Sequence, residues 1–131
     1  MNTKKEIRQL DEVKLLVDSF YGKVRKDELL AHIFNERIKD NWPTHLDKMY
    51  RFWQTVLLED HTYNGSPFAP HATMPIDAQH FDRWLELFQS TLDDLFEGEK
   101  AQEAHWRALK MAEMFQMKLK YFRDNHSKPI V

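Results

Sequence analysis

Residues 64–75 read Asn64-Gly65-Ser66-Pro67-Phe68-Ala69-Pro70-His71-Ala72-Thr73-Met74-Pro75. Four of the chain's eight glycines and prolines fall in this one window. A proline has no N–H and excludes helical geometry in the residue before it, so no long regular helix crosses the stretch. Elsewhere breakers are scarce. Three glycines and five prolines in 131 residues is about half the usual combined share of roughly 12%. The sequence therefore predicts helices on both sides of a broken middle.

Apolar residues on either side recur at helical spacing. Leu10, Val13, Val17, Phe20 and Val24 share one face of a first helix that ends near Arg25-Lys26. Asp27 is placed to cap a short second helix carrying Leu30, Ile33 and Phe34. Trp42, Leu46, Met49, Phe52, Trp53, Val56 and Leu57 line a third, with Pro43 in its tolerant first turn. Asp77 is a good cap for a fourth, striped by Phe81, Trp84, Leu85, Phe88, Leu92 and Leu95, with Gly98 able to close it. A last helix carries Ala101, Ala108, Ala112, Phe115, Leu119 and Phe122. No stretch alternates with period two for long enough to build a sheet. The fold class is all-α, with four long helices and at least one short one.

Composition narrows the function classes. The length suits a single domain over 1–131, with about 1–9 and 124–131 expected as flexible ends. The absence of cysteine excludes a disulfide scaffold and thiolate-held zinc or iron–sulfur sites. Nineteen basic against 21 acidic residues, net −2, argues against an electrostatic nucleic-acid binder. No run approaches the ~18 apolar residues of a membrane span. The start, Met1 to Leu10, carries charge with no apolar stretch behind it, so a cytoplasmic protein without nucleic-acid or membrane partners is expected.

Three oddities go beyond a plain helical domain. The inward faces are unusually aromatic, 13% of the chain being Phe, Trp or Tyr. Polar-tipped side chains sit beside those stripes: Tyr21 next to Phe20, His45 one turn before Met49, and Trp84 within the fourth stripe. His71 sits in the broken window, held by prolines at 67, 70 and 75. Each has an ordinary reading as well, a core residue with a satisfied tip or a solvated loop histidine. Metal motifs are mostly excluded. There is no His-Glu-x-x-His helix, no histidine follows a glutamate by three residues as in di-iron bundles, and no serine sits in a Gly-x-Ser-x-Gly elbow. A metal needing only one protein ligand remains compatible, as in haem held by a single imidazole.

At this point a family pattern emerges. Phe20-Tyr21-x-Lys-Val-Arg-Lys-Asp27 and Ile33-Phe34-Asn35 resemble the start of the group III truncated haemoglobins of bacteria. So do Trp42-x-x-His45-Leu, Phe52-Trp53, Val56-Leu57-Leu58, Tyr63-Asn-Gly-x-Pro67-x-x-x-His71 and His80-Phe81-x-x-Trp84-Leu-x-Leu-Phe88. The fragments run in order from about residue 10 to about 120. The resemblance implies a truncated globin, a 2-on-2 α-helical sandwich around one haem b (iron protoporphyrin IX), with the proximal helix reduced to a loop and a short turn. It assigns His71 as the proximal iron ligand and Tyr21, His45 and Trp84 as the distal residues around a bound ligand. Phe34 matches the aromatic that packs flat on the porphyrin, and Lys48 a propionate partner. Met49, Phe52, Trp53, Phe81 and Phe88 would line or pad the pocket.

On spacing alone His61 and His80 are rival ligands. His61 is expected to close the third helix and His80 to lie within the fourth, so the broken segment at His71 suits a short proximal approach better. The resemblance implies O₂, NO, CO, cyanide or peroxide as small ligands, a reductase as electron donor, and a monomer. Three hydrogen-bond donors, each worth ~0.5–1.5 kcal/mol, suit ligand retention or redox chemistry better than O₂ delivery. NO dioxygenase and peroxidase-like activities are the enzymatic versions. The competing reading is a cofactor-free helical interaction module.

Overall fold

The computed structural model describes residues 4–126. It contains α1 (Leu10–Val24), α2 (Ala31–Ile38), α3 (Trp42–Leu58), α4 (Ala78–Leu95) and α5 (Glu99–His126), with one 3₁₀ turn over Ala69–His71. No strand occurs among the described residues. A parallel bridge joins Lys5 and Phe96, in which Lys5 N–H donates to Leu95 O and Glu97 N–H to Lys5 O, each at 2.9 Å. The all-α expectation holds.

Local chemistry sets most helix starts. Gln9 and Glu12 form a reciprocal capping box at α1, and Asp11 and Glu12 place negative charge in its first turn, where the helix dipole favours it. Asp27 accepts from the N–H groups of Leu29 and Leu30, both at 3.1 Å, and so caps a turn that leads into α2 rather than α2 itself. Pro43 occupies the first turn of α3. Asp77 caps α4 by accepting from Gln79 N–H at 3.3 Å.

Helix ends are less regular. α3 stops at Glu59, which adopts the left-handed conformation at φ 61° without being glycine. His61 therefore lies beyond the helix it was expected to close. Gly98 does not close α4 either. That helix ends at Leu95, and Gly98, at φ +95°, precedes α5 and accepts Gln102 N–H.

α1 packs on α3 and α4, α4 packs on α5, and α3 touches α5. The pairs α1/α3 and α4/α5 form the two layers. Phe20, Leu16, Val13, Val17 and Leu57 are fully buried where the first pair meets α4. The buried apolar residues nevertheless fall into two clusters. The larger runs through α1, α3 and α4; the smaller gathers Ile33, Met74, Ile76, Phe81, Ala112, Phe115 and Leu119. A close-packed interior normally forms one contiguous core, so the split marks a gap between the clusters.

Part of the expected loose N-terminus is docked. Lys5 pairs with the chain after α4, and Ile7 is buried. Residues 124–126 belong to the last turn of α5. Residues 1–3 and 127–131 lie outside the described part of the chain.

Candidate functional site

The gap between the clusters is a cavity of about 530 Å³, within the ~300–1,000 Å³ range of small-molecule and cofactor sites. Tyr21, Phe34, His45, Lys48, Met49, Phe52, Trp53, His71, Phe81 and Trp84 all line it. Phe34, Met49, Phe52 and Trp84 are half-buried although their stripes read as core, because they face this space instead of another helix. Phe88 is the exception among the expected wall residues. It is buried behind the wall, stacked on Trp84 at 5.4 Å and 6° and on Trp53 at 5.0 Å and 24°. Packed among the rings of Phe20, Trp53 and Trp84, it supports the lining rings instead of joining them. A wider depression of about 720 Å³ lies between the N-terminal segment and the end of α3. It is rimmed by exposed Arg8, Asp11, Glu59 and Asp60, contains none of the candidate residues, and is an open surface feature.

One wall carries the polar tips. The Tyr21 and His45 rings meet edge to face at 5.1 Å, and Trp42 backs both, at 5.8 Å from Tyr21 and 5.7 Å from His45. Arg25 lies over the Trp42 ring at 4.4 Å, holding it from outside. Phe20 links Tyr21, Trp84 and Phe88 through edge contacts of 4.9, 5.3 and 5.2 Å. The donors are thus fixed by packing rather than by hydrogen bonds to one another.

His71 belongs to the other side. Its ring lies 4.8 Å from that of Phe115, a member of the smaller cluster. The 3₁₀ turn closes with His71 N–H on Phe68 O at 2.8 Å, and the His71 Nδ1 is 2.7 Å from Pro67 O. A carbonyl only accepts, so Nδ1 carries the proton and Nε2 keeps its lone pair. That contact supplies the partner of the second ring nitrogen, which orients a ligating imidazole.

The site is electrically neutral at its centre. Burial pushes the Tyr21 hydroxyl well above its ordinary value, so it stays a donor. Burial lowers His45 to about 4, helped by the charges of His71 and Lys48. Burial also lowers His71, with Arg37 adding to the effect and the Pro67 hydrogen bond opposing it. The formally charged residues in the lining are Arg37 and Lys48, both cations, and no carboxylate joins them. His45 Nε2 is buried with no hydrogen-bond partner. A buried polar atom left in that state is costly to the folded protein.

Of the rival histidines, His61 is exposed and does not reach the cavity. His80 does line it, but its Nδ1 accepts Asp77 N–H at 3.0 Å in the cap of α4. Sequence reading missed several lining residues. Met111 and Phe115 come from α5, and Phe115 was legible only as core. Tyr63 stood in the family motif that leads to His71 without being assigned to the site, and Met74 and Arg37 carried no sequence signal for it.

The comparisons with known proteins follow this geometry. A family model described as bacterial-like globin matches residues 6–118. Over 110 residues the chain is 35% identical to a group 3 truncated hemoglobin of Campylobacter jejuni, covering 81% of this chain and 87% of that protein. The chain belongs to the group 3 truncated haemoglobins. The crystal structure of the group III truncated hemoglobin from Campylobacter jejuni also superposes on this truncated haemoglobin with a TM-score of 0.81. That match has 35% sequence identity and covers 89% of this chain and 95% of the other. The fold is therefore the truncated globin sandwich that the sequence pattern implied.

Membership makes this truncated haemoglobin a haem-binding globin for small gaseous ligands such as O₂, and removes the reading as a cofactor-free module. Its own residues fit a haem. The walls are aromatic and aliphatic, a histidine with one nitrogen already engaged faces the space, and two cations at the lining match carboxylates on a flat apolar group. Among the described residues no helix is long and apolar enough to cross a membrane.

Proposed function

We propose that this truncated haemoglobin holds haem b through His71 as its single protein ligand and retains or transforms a small diatomic molecule instead of delivering O₂. Haem supplies an iron centre that takes up such molecules and exchanges electrons. The remainder is the work of the chain. Pro67 O keeps His71 in the tautomer with a free Nε2. Tyr21, His45 and Trp84, each with a hydrogen-bonding group, line the cavity across from His71. Lys48 offers positive charge to a haem carboxylate.

The observation that carries this reading is the donor wall itself. Tyr21 and His45 are edge to face at 5.1 Å, and burial keeps the first protonated and the second uncharged. Neutral donors stabilise a ligand that accepts hydrogen bonds without first being drawn into a salt bridge. Two well-placed donors slow release by roughly ten- to a hundredfold, at ~1.4 kcal/mol per decade. The same wall suits reactions of O₂ with NO or of peroxide, with a reductase returning electrons, while CO and cyanide serve as probes. The protein acts as a single cytoplasmic domain and as a monomer on this reading.

The test is direct. The purified protein should show a Soret band that survives desalting. O₂ dissociation should accelerate in Tyr21→Phe, His45→Leu and Trp84→Phe variants, and rates equal to the parent in all three would exclude the donor wall as the cause of retention.

A further inference from the structure

The segment between α3 and α4 carries the iron ligand on the reading above, yet it has little internal support. Its own backbone bonds near the histidine are His71 N–H to Phe68 O and Met74 N–H to His71 O, at 2.8 and 3.1 Å. Thr55 of α3 holds the Thr62 and Tyr63 amides at the start of the segment, each at 3.1 Å, and two arginines from other elements reach the part around His71. Arg123 of α5 donates to Met74 O at 3.2 Å and Ile76 O at 2.6 Å, beyond the histidine. Arg37 of α2 donates from one nitrogen, Nη2, to Pro70 O at 2.9 Å and to Thr73 Oγ1 at 3.2 Å, on either side of it.

Arg37 differs from Arg123 in what it joins. α2 is eight residues long, buries only Ile33 and Ile38, and carries Phe34 into the cavity. Its start is tied down by Asp27, which caps the preceding turn and pairs with Arg83 of α4 at 2.7 Å. Its end has Arg37. A guanidinium is a planar fork whose donors can meet two acceptors at once, and it stays charged at any working pH. Arg37 also lines the cavity, so the bridge lies where α2 and the His71 segment face each other.

We propose that Arg37 is a clasp: by holding Pro70 O and Thr73 Oγ1 it fixes His71 between two anchored neighbours and shuts the cavity along the seam between α2 and the proximal segment. Arg37 is a positioning residue, acting on the iron ligand through the backbone. The role in haem retention rests on the proposed ligation by His71. The closure of the segment does not.

The full-length protein is compared with Arg37→Met, Arg37→Lys and Thr73→Val by three measurements. Hydrogen exchange at the His71 and Met74 amides should quicken about tenfold in Arg37→Met, the scale of one lost charge-assisted hydrogen bond. Transfer of haem to an excess of apomyoglobin should quicken similarly, and the iron–histidine stretching band should shift or broaden. Arg37→Lys should restore part of each effect, and Thr73→Val should give a smaller change in the same direction. Unchanged amide exchange in Arg37→Met overturns the clasp even if haem transfer accelerates, because Arg37 would then serve a haem carboxylate instead of the segment. Should Arg37→Met fail to fold, Thr73→Val decides by the same amides: faster exchange supports the clasp and parental exchange overturns it. A protein that never takes up haem would sink the proposed function, while amide exchange would still decide the clasp.

Discussion

The Nδ1 atom of His71 lies 2.7 Å from the carbonyl oxygen of Pro67, four residues earlier in a segment that cannot form a regular helix. The bond fixes both the tautomer and the tilt of the ring without a carboxylate. Replacing His71 by glycine should abolish native iron coordination while leaving the cavity, and added imidazole should restore the parent spectrum. If His80→Ala or His61→Ala behaves this way instead, the ligand is misassigned. His61, outside the cavity, should be silent.

Trp84 is stacked almost parallel on Phe88, and Phe88 on Trp53, so one buried ring sets the pose of two lining indoles. Removing it in Phe88→Ala should cost about 3–5 kcal/mol, the usual range for emptying a buried phenylalanine site. The milder Phe88→Leu should keep the fold and speed O₂ release in the same direction as Trp84→Phe, by a smaller factor. Stopped-flow dissociation with near-ultraviolet circular dichroism checks both. Unchanged kinetics with an altered tryptophan signal would separate the pose of Trp84 from its proposed role.

Acid should weaken the haem-free protein in two stages. Burial lowers His45 from 6.5 to about 4, and lowers His71 as well. The unfolded chain therefore binds more protons between those values. The stability these residues allow is complete above about pH 6.5 and falls as pH drops towards about 4. Asp27 acts lower. Its burial favours the neutral acid, but hydrogen bonds from Arg83 and the Leu30 and Leu29 amides outweigh that and bring it below 3.8. Its contribution is lost only as pH falls through that lowered value. Thermal unfolding at stepped pH should show His45→Leu with a shallower decline between pH 6.5 and 4, and an unaltered slope would count against a buried neutral His45.

Gly98 holds φ at +95° before α5, and a Cβ there would stand 2.9 Å from Glu6 Oε1. The carboxylate end can swing away, so the backbone dominates the penalty. Gly98→Ala should destabilise by about 1–2 kcal/mol, the cost of forcing an L-residue into a left-handed conformation. Urea unfolding gives the value. A neutral result would mean that the turn relaxes.

The sequence was enough for the helix count, the broken middle and most helix starts, because caps and 3.6-residue stripes are local properties. Asp77 before α4 and Leu10 to Val24 in α1 are legible for that reason. It also carried His71, Tyr21, His45 and Trp84, through polar tips beside aromatic stripes and through the family pattern. Helix ends were harder. Glu59 stops α3 in a conformation more typical of glycine, and Gly98 serves the next helix rather than the previous one. Such ends depend on what the following segment packs against.

Phe115 and Met111 reach the cavity from α5, distant in the chain, and nothing in their neighbours announced it, while Arg37 lies one turn after the expected Phe34 and went unread. Phe88 shared a stripe with Trp84 and read as wall, yet stands behind it. Periodicity assigns a residue to a face of a helix; whether that face meets another helix or an open space depends on how two layers close. The sequence by itself determined an all-α chain with one interrupted segment and a set of polar-tipped candidates. Only the tertiary structure decided which of them surround one cavity, and that the His71 segment is bonded by arginines from α2 and α5, because both follow from contacts between residues about 25 to 65 positions apart.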